Sequence, residues 1–200
     1  MQALLDTIAT ATLPADAQRL FHGRGGRFPG CEAWALDAYP PVWLVTKFGV
    51  VTPDEVAALT AALQARHEQI AAPGQPLNAV LQTRHEGRSE TTVLAGVVPE
   101  SHVVSEDSAR YRINLLRGQN HGLFLDMAEG RRWVREHAVA HPGMKVLNLF
   151  AYSCAFSVAA LQGGARQVIN MDMSPGALSI GQQNHPLNGL TAGASFLAHD

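Results

Sequence analysis

Two short stretches of the sequence carry residues that could bind a nucleotide-type ligand. The apolar run VLNLF is followed by the small and polar segment AYSC (residues 151–154), and the next apolar run, VINMD, ends in Asp172. A carboxylate at that place can accept hydrogen bonds from both hydroxyl groups of a ribose. The alternative is that Asp172 only caps a helix predicted to begin after Ser174.

The first of these loops bears on which nucleotide could bind. It lacks the G-x-G-x-x-G pattern that lets a pyrophosphate approach a helix N-terminus, which disfavours NAD and other dinucleotides. Ala151, Ser153 and Ala155 are small enough to admit a ligand without phosphates. A tight strand-to-helix turn that binds nothing is the alternative.

The segments around these loops alternate between helix and strand. We predict helices at residues 127–140, 155–162 and 175–185, and strands at residues 145–150, 167–171 and 195–198. The continuous apolar runs VLNLF and VINMD are typical of parallel strands that helices cover on both faces. The pattern from residue 120 onward therefore predicts an α/β, Rossmann-like sheet whose ligand binds beyond the carboxyl ends of the strands.

Three residue patterns predict where these helices begin and end. Asp126 with Glu129 three residues later is typical of a capping box, and Ser174 followed by Pro175 is typical of an N-cap with proline at the first helical position. Pro186 would remove a backbone hydrogen bond from a helix that continued through it. We therefore expect the last helix to end or kink near Asn184.

The apolar pattern of residues 1–119 differs from that of the residues after them and predicts a small α+β domain. The apolar pattern predicts strands at residues 41–48, 78–83, 91–96 and 110–116 and an amphipathic helix at residues 53–70. The segment HGRGGRFPG (residues 22–30) combines flexible glycines with two arginines and a phenylalanine, which could contact a phosphate backbone or stack on a base. Further arginines lie at positions 110, 112 and 117. A mobile turn without a partner is the alternative.

Composition limits the class of protein. The chain of 200 residues is 46% hydrophobic and 16% charged, with a net charge of −2, which is typical of a globular protein. It has no apolar run of membrane-spanning length and no basic signal-peptide start, so we predict a cytoplasmic protein with no membrane partner. Two cysteines are too few for a disulfide framework. His137 and His141 have helical ligand spacing but no third ligand nearby, so we predict no metal.

Several motifs together resemble one family. In order, they are GLFLD (122–126), RRW (131–133), VLNLFAYSCAFSVAAL (146–161), DMS (172–174) and NGL (188–190). They resemble the bacterial S-adenosylmethionine (SAM) dependent methyltransferases that include the enzymes modifying 23S ribosomal RNA at cytosine C5 and at guanine. Arg84, Gly96, Glu106, Gly118 and Gln119 resemble the domain that precedes the catalytic one in that family.

The resemblance implies SAM as the cofactor, RNA as the substrate and a set of cofactor-binding residues. Asp172 would hold the ribose, and Asp200 would lie by the adenine unless it is an ordinary loop residue. The full implied set is Phe124, Asp126, Asn148, Phe150, Tyr152, Ser153, Cys154, Ala155, Asp172, Met173 and Asp200.

The sequence also departs from the family pattern. Asn120 and His121 stand where the family usually has lysine and threonine, and Met127 and Ala128 stand where it has glutamine and arginine. Cys154 replaces a common glycine, and we interpret it as a small loop residue rather than a nucleophile.

The target-base pocket and the D-P-P-type motif of the family follow a fourth strand, so we predict no catalytic residue within residues 1–200. We expect this chain to bind the cofactor without transferring the methyl group, and its third strand to favour association with another chain through a free sheet edge. The alternatives are a non-catalytic RNA-binding or regulatory fragment and a NAD-dependent oxidoreductase.

Overall fold

The computed structural model describes residues 1–199, which divide into two compact units. The first unit comprises Met1–Glu100 and Asn114–Gln119, and the second comprises Ser101–Ile113 and the residues from Asn120 onward. The division at residue 119 in the sequence analysis placed residues 101–113 in the first region. These residues form a hairpin that bonds to a helix of the second unit, which explains the difference.

The first unit is a five-stranded sheet with two helices. Its strands lie in the order β1-β2-β3-β4-β5, with β3 and β4 parallel and the other neighbours antiparallel. The elements are α1 (Gln2–Thr10), β1 (Gln18–His22), β2 (Trp34–Tyr39), β3 (Val42–Phe48), α2 (Pro53–Ile70), β4 (Asn78–His85) and β5 (Arg88–Ala95).

The parallel pair requires a crossover, and α2 provides it. Thr52 and Glu55 form a capping box at its start, and Pro53 occupies the first helical position. Side chains of α1, α2 and the sheet meet in one core, which includes Leu4, Ile8, Leu36, Trp43 and Leu59. The predicted bounds of α2 are confirmed, whereas α1, β1 and β2 were not predicted.

The second unit contains an antiparallel hairpin and a parallel sheet. The hairpin is β6 (His102–Glu106) and β7 (Ala109–Ile113). The sheet consists of β8 (Lys145–Leu149), β9 (Gln167–Asp172) and β10 (Ala194–Ala198) in the order β10-β9-β8. Its helices are α3 (Ala128–Ala140), α4 (Ala155–Gln162) and α5 (Pro175–Leu187). The predicted α/β, Rossmann-like alternation is confirmed.

Two asparagine side chains, on α5 and just after it, bond to backbone groups of the hairpin. The carboxamide of Asn188, just after α5, accepts from the Arg110 N–H at 2.8 Å and donates to the Arg110 carbonyl at 2.7 Å. Asn184 on α5 accepts from the Arg112 N–H at 2.8 Å. These bonds satisfy the edge of β7, so that the hairpin belongs to the second unit.

Two of the three predicted helix boundaries need correction. The predicted Asp126–Glu129 capping box is wrong, because Asp126 lies inside a 3-10 turn (Leu125–Met127) and Glu129 pairs with Arg132 instead. The expected end of the last helix near Asn184 is also wrong, since α5 continues to Leu187. Pro186 is exposed in the last turn, where water can replace the bond that a proline cannot donate. The Ser174 N-cap with Pro175 is confirmed.

None of the helices within residues 1–199 has the length and apolar character needed to cross a membrane. Within the same residues, no group of three or more histidine, cysteine, aspartate or glutamate side chains is placed to hold a metal ion. His137 and His141 instead stack on each other, with ring centroids 4.2 Å apart.

Candidate functional site

The carboxyl ends of the three parallel strands meet at one edge of the sheet. Leu149 of β8 lies beside Met171 of β9, and Met171 lies beside Leu197 of β10. Asp172, the last residue of β9, pairs with Ala198. This edge is where an open α/β sheet binds its ligands.

The loop from β8 to α4 has an unusual backbone. Phe150, Tyr152 and Cys154 have φ angles of 52°, 48° and 57°, in the left-handed region that residues with a Cβ atom rarely adopt. Such conformations persist only where surrounding contacts impose them, and they concentrate at functional sites. Phe150 was predicted to end β8, but its side chain is 91% exposed beyond the strand.

Asp172 is one of the contacts that impose this loop. Its Oδ2 accepts from the N–H of Tyr152 at 2.8 Å, and its Oδ1 accepts from the N–H of Ser174 at 2.8 Å. Both strand ends are thereby joined through one carboxylate. Each oxygen keeps a second lone pair, so the same carboxylate can still accept hydrogen bonds from a ligand.

A second contact joins the loop to the segment that precedes α3. The N–H of Gly122 donates to the Tyr152 hydroxyl at 2.8 Å, and the Ser153 hydroxyl donates to the Gly122 carbonyl oxygen. Gly122 has a φ of 103°, and a Cβ atom there would lie 2.7 Å from the Arg112 carbonyl oxygen, so no other residue fits without rearrangement. The rings of Phe124 and Tyr152 lie 4.9 Å apart.

A buried ion pair supports Phe124 from the other side. Arg131 on α3 makes a bidentate pair with Glu106 on β6, with N···O distances of 2.6 and 2.7 Å. The same guanidinium donates to the Phe124 carbonyl at 2.9 Å. The pair therefore ties the hairpin, α3 and the Phe124 segment together. This gives a structural reason for two of the residues in the sequence motifs, Glu106 and Arg131.

Burial accounts for the chemistry of Cys154. Its side chain is fully buried, and burial with the nearby Asp172 raises the pKa of the thiol to about 12. The thiol is therefore protonated at neutral pH and is a poor nucleophile. It packs against Gly181 of α5, where a Cβ atom would lie 2.4 Å from the sulfur.

A cavity of about 360 Å³ opens at the strand ends. It is lined by Leu149, Phe150, Met171, Asp172, Met173 and His199. Its size lies in the range of small-molecule sites, and its lining is apolar apart from one carboxylate and one imidazole. Such a cavity suits a flat, mostly apolar ring carried on a sugar with free hydroxyl groups.

The structure brings only some of the predicted site residues together. Phe150, Asp172 and Met173 line the cavity. Phe124, Tyr152 and Ser153 surround Gly122, while Cys154 and Ala155 lie buried under the loop. Asp126 is exposed in the 3-10 turn. Asn148 bonds to Asn170 on the side of the sheet that faces the helices. Asp200 lies outside the described residues.

Three cavity residues were not identified from the sequence: Leu149, Met171 and His199. The two apolar residues sit in predicted strands, and their side-chain direction depends on a register that a sequence does not reveal. His199 directly follows β10, which was the one available signal.

A protein-family model for S-adenosylmethionine-dependent methyltransferases matches residues 18–200. Ribosomal RNA large subunit methyltransferase I of Aeromonas hydrophila is 38% identical over 121 residues, which are 58% of this chain. Ribosomal RNA large subunit methyltransferase K/L of a Psychrobacter species is 41% identical over 127 residues, or 62% of this chain. A crystal structure of a methyltransferase complexed with S-adenosylhomocysteine (SAH) matches the whole chain, with a TM-score of 0.74 and 26% identity.

The matched proteins are considerably longer than this chain. The alignments cover 30% of the Aeromonas protein, 15% of the Psychrobacter protein and 49% of the crystallised chain.

Proposed function

The chain belongs to the S-adenosylmethionine-dependent methyltransferase family, and from this premise we propose that the carboxyl ends of β8 and β9 bind SAM for methyl transfer to RNA. The observation that carries the proposal is the apolar cavity beside Asp172 at the strand ends. Because the chain spans 30% of the Aeromonas protein and 49% of the crystallised chain, the activity, the substrate and the partners are all part of the proposal.

The lining of the cavity fits the adenosine part of SAM. Leu149, Phe150, Met171 and Met173 offer apolar surface for an adenine ring. The unused lone pairs of Asp172 can accept hydrogen bonds from the two ribose hydroxyl groups. His199 is the one imidazole at the cavity among the described residues, and it can bond to a polar edge of the base.

The loop geometry favours SAM over NAD. Residues 150–155 contain no glycine, so every one of them carries a Cβ atom that keeps a pyrophosphate away from the backbone. The backbone N–H of Tyr152 is already bonded to Asp172. SAM has no pyrophosphate between the ribose and the rest of the molecule. It therefore needs neither a glycine in this loop nor a free backbone N–H at Tyr152.

The remaining predicted residues would hold the methionine part of the cofactor. Phe124 and Tyr152 pack ring against ring, and Asp126, two residues after Phe124, has an exposed side chain. A carboxylate there can attract the ammonium group of an amino acid. We assign Ser153, Cys154 and Ala155 the role of shaping the loop rather than of bonding to the ligand, because all three are buried.

SAM, when bound, supplies a methyl group on a positively charged sulfur. The described residues would orient the cofactor and exclude water from one side of it. Alignment of this kind lowers the barrier to methyl transfer. We propose no catalytic residue among them.

RNA as substrate is supported by the names of the two ribosomal RNA methyltransferases and by one feature of the first unit. The guanidinium of Arg24 lies 4.4 Å from the ring centroid of Phe48, and that of Arg84 lies 5.6 Å from the same centroid. Arg24 and Arg27 are exposed on the glycine-rich loop after β1. Exposed arginines beside an aromatic ring can contact phosphates and stack on bases. A ribosomal substrate agrees with the cytoplasmic location that the sequence predicts.

Calorimetric titration with SAH and with NAD tests the proposal. We expect the chain to bind SAH and not NAD, and Asp172→Ala to lose about 1–3 kcal/mol of binding free energy, the range for hydrogen bonds to a charged group. Glu136→Ala, which removes an exposed carboxylate from α3, is the matched control and should leave the affinity unchanged. NAD binding without SAH binding would overturn the proposal.

RNA contact is tested separately by measuring affinity for ribosomal RNA against salt concentration. The Arg24→Ala, Arg27→Ala double variant should show a shallower salt dependence than the wild type, since two phosphate contacts are lost. Arg166→Ala, an exposed arginine of the second unit, is the control. Association through β10 stays a prediction; the exposed Leu197 on that strand is compatible with it.

A further inference from the structure

Four polar side chains form a continuous hydrogen-bonded chain beneath the strand ends. The Asn148 amide donates to Asn170 at 2.9 Å, and the Asn170 amide donates to the Ser157 hydroxyl at 3.1 Å. The Ser157 oxygen lies 2.9 Å from Nε2 of His185. Asn170 and Ser157 are completely buried, and His185 is 3% exposed. The chain joins β8, β9, α4 and α5.

The direction of every bond in this chain follows from its last member. Nδ1 of His185 lies 2.7 Å from the Gly181 carbonyl oxygen, which can only accept, so Nδ1 carries the proton. Nε2 is then an acceptor, and the Ser157 hydroxyl must donate to it. That leaves the Ser157 oxygen to accept from Asn170, whose second amide hydrogen donates to the Ser195 carbonyl at 3.2 Å. The Asn170 oxygen is left to accept from Asn148.

Three members of the chain lie two residues from the residues that form the proposed cofactor site. Asn148 precedes Phe150, Asn170 precedes Asp172, and Ser157 follows Ala155. Asn148 and Asn170 are also direct neighbours in the register of β8 and β9. The chain therefore fixes the lateral position of both strand ends relative to α4.

We propose that His185 is a positioning residue for cofactor binding, which acts through Ser157 and Asn170 on the ends of β8 and β9. This inference rests on the proposed function, because it assumes that the strand ends hold the cofactor. His185 itself lies on α5 and is not among the residues that line the cavity.

Protonation of His185 reverses the last bond of the chain. A proton on Nε2 makes that atom a donor, so the Ser157 hydroxyl hydrogen loses its acceptor. The groups that face His185 from the packed elements are the Ser157 hydroxyl on α4, the edge of the Phe196 ring on β10 and the Gly181 carbonyl on α5. Cys154 faces Gly181 with a protonated thiol, and β7 meets α5 through the backbone N–H groups of Arg110 and Arg112.

Burial lowers the pKa of His185 below its ordinary value of 6.5, so the neutral form that the chain needs is present at neutral pH. The pKa of His185 is lower in the folded protein than in the unfolded one. The stability that the hydrogen-bonded side chains contribute is therefore fully present above pH 6.5 and is lost as the pH falls through the folded pKa of His185.

The test is the dissociation constant of SAH measured by calorimetry between pH 8 and pH 5.5, with circular dichroism at each pH to follow folding. We expect constant affinity of the wild type above pH 7 and a loss below the folded pKa of His185 that levels off at about three- to tenfold, the effect of breaking the hydrogen-bonded chain. His185→Asn, which does not titrate, should bind about three- to tenfold more weakly at pH 8 and show a flat profile. Ser157→Ala keeps His185 but removes the hydroxyl that links it to Asn170. This variant should therefore also bind SAH more weakly at pH 8 and show a flat profile.

His199 is a second histidine that lines the cavity, so His199→Asn is the control and should keep the fall in affinity at low pH. Equal affinities and equal pH profiles of the wild type, His185→Asn and Ser157→Ala would overturn this inference while leaving the proposed function in place. A wild-type chain that binds no SAH at any pH would overturn the proposed function, and the positioning role with it.

Discussion

The two helices that follow β8 and β9 begin in very different ways. At the start of α5, the Ser174 hydroxyl accepts from the Ala177 N–H, and Pro175 occupies the first helical position. At the start of α4, the N-cap residue is Cys154, which is left-handed and makes no side-chain cap bond to any residue that the structure describes.

The difference lies in where each junction gets its stability. The start of α5 is specified by adjacent residues, whereas the loop before α4 is held by groups distant in sequence. Asp172 bonds the Tyr152 N–H, Gly122 bonds Tyr152 and Ser153, and Asn184 donates to the Ser153 carbonyl at 3.0 Å. Places where local rules fail but the structure supports the exception are typically functional. The comparison thus supports the proposal that the β8–α4 loop forms part of the cofactor site.

The largest effect should come from removing the most distant support of that loop. Arg131→Met leaves the Glu106 carboxylate buried without its partner, which typically costs about 3–5 kcal/mol. It also frees the Phe124 carbonyl, and with it the ring that packs on Tyr152. We expect a large drop in the free energy of unfolding, measured by urea denaturation.

Arg132→Met is the matched control, because Arg132 pairs with Asp107 and Glu129 on the surface. Screening by water should make its loss small. If both variants unfold at the same urea concentration, the buried pair does not support the loop as described.

A smaller effect is expected from adding a side-chain atom on α5 where it packs against the loop between β8 and α4. Gly181→Ala places a Cβ atom 2.4 Å from the Cys154 sulfur. Overpacking costs about 1–3 kcal/mol, against the roughly 1 kcal/mol that alanine gains over glycine in a helix. We therefore expect a net loss of stability in thermal unfolding, together with weaker SAH binding.

Cys154→Gly should remove two sources of strain at residue 154. Glycine adopts the left-handed conformation easily, and it has no sulfur that could contact residue 181. The double variant Gly181→Ala, Cys154→Gly should then regain most of the lost stability. Additive losses in the double variant would mean that the two residues do not press on each other.

The smallest effect is expected at the junction that local residues specify. Ser174→Ala removes one cap bond and should cost about 1 kcal/mol of unfolding free energy. SAH affinity should stay within error of the wild type, as measured by calorimetry, because the loop before α4 is untouched. A loss of affinity as large as that of Gly181→Ala would remove the distinction between the two junctions.

The parts of the fold that could be predicted from the sequence are those with strong local signals. The bounds of α2 and α4 are as predicted: α2 begins with a capping box and a proline, and two glycines follow the end of α4. β2 was missed because all six of its residues are buried, including Asp37, which pairs with Arg19, so it shows no alternation. The predicted strand at residues 110–116 overlaps β7, but β6 was missed, because the turn between them uses Asp107 and Ser108 at positive φ rather than a glycine.

The candidate site was predictable in position but not in its bonding. A strand end followed by a polar residue identified Asp172, and the lack of glycines in the loop disfavoured a dinucleotide. That both Asp172 oxygens accept backbone N–H groups could not be foreseen, since it depends on the packing of two loops. Because of this bonding, Asp172→Asn must present its NH2 group to one of those N–H groups, so it should weaken SAH binding at least as much as Asp172→Ala.

Hydrogen exchange of the backbone amides, measured by mass spectrometry with and without saturating SAH, tests the central claim most directly. If the strand ends of β8 and β9 hold the cofactor, SAH will slow exchange in residues 149–155 and 172–174 and leave the sheet of the first unit unchanged. Protection confined to the first unit, or binding of SAH with no change at residues 149–155 and 172–174, would contradict the account.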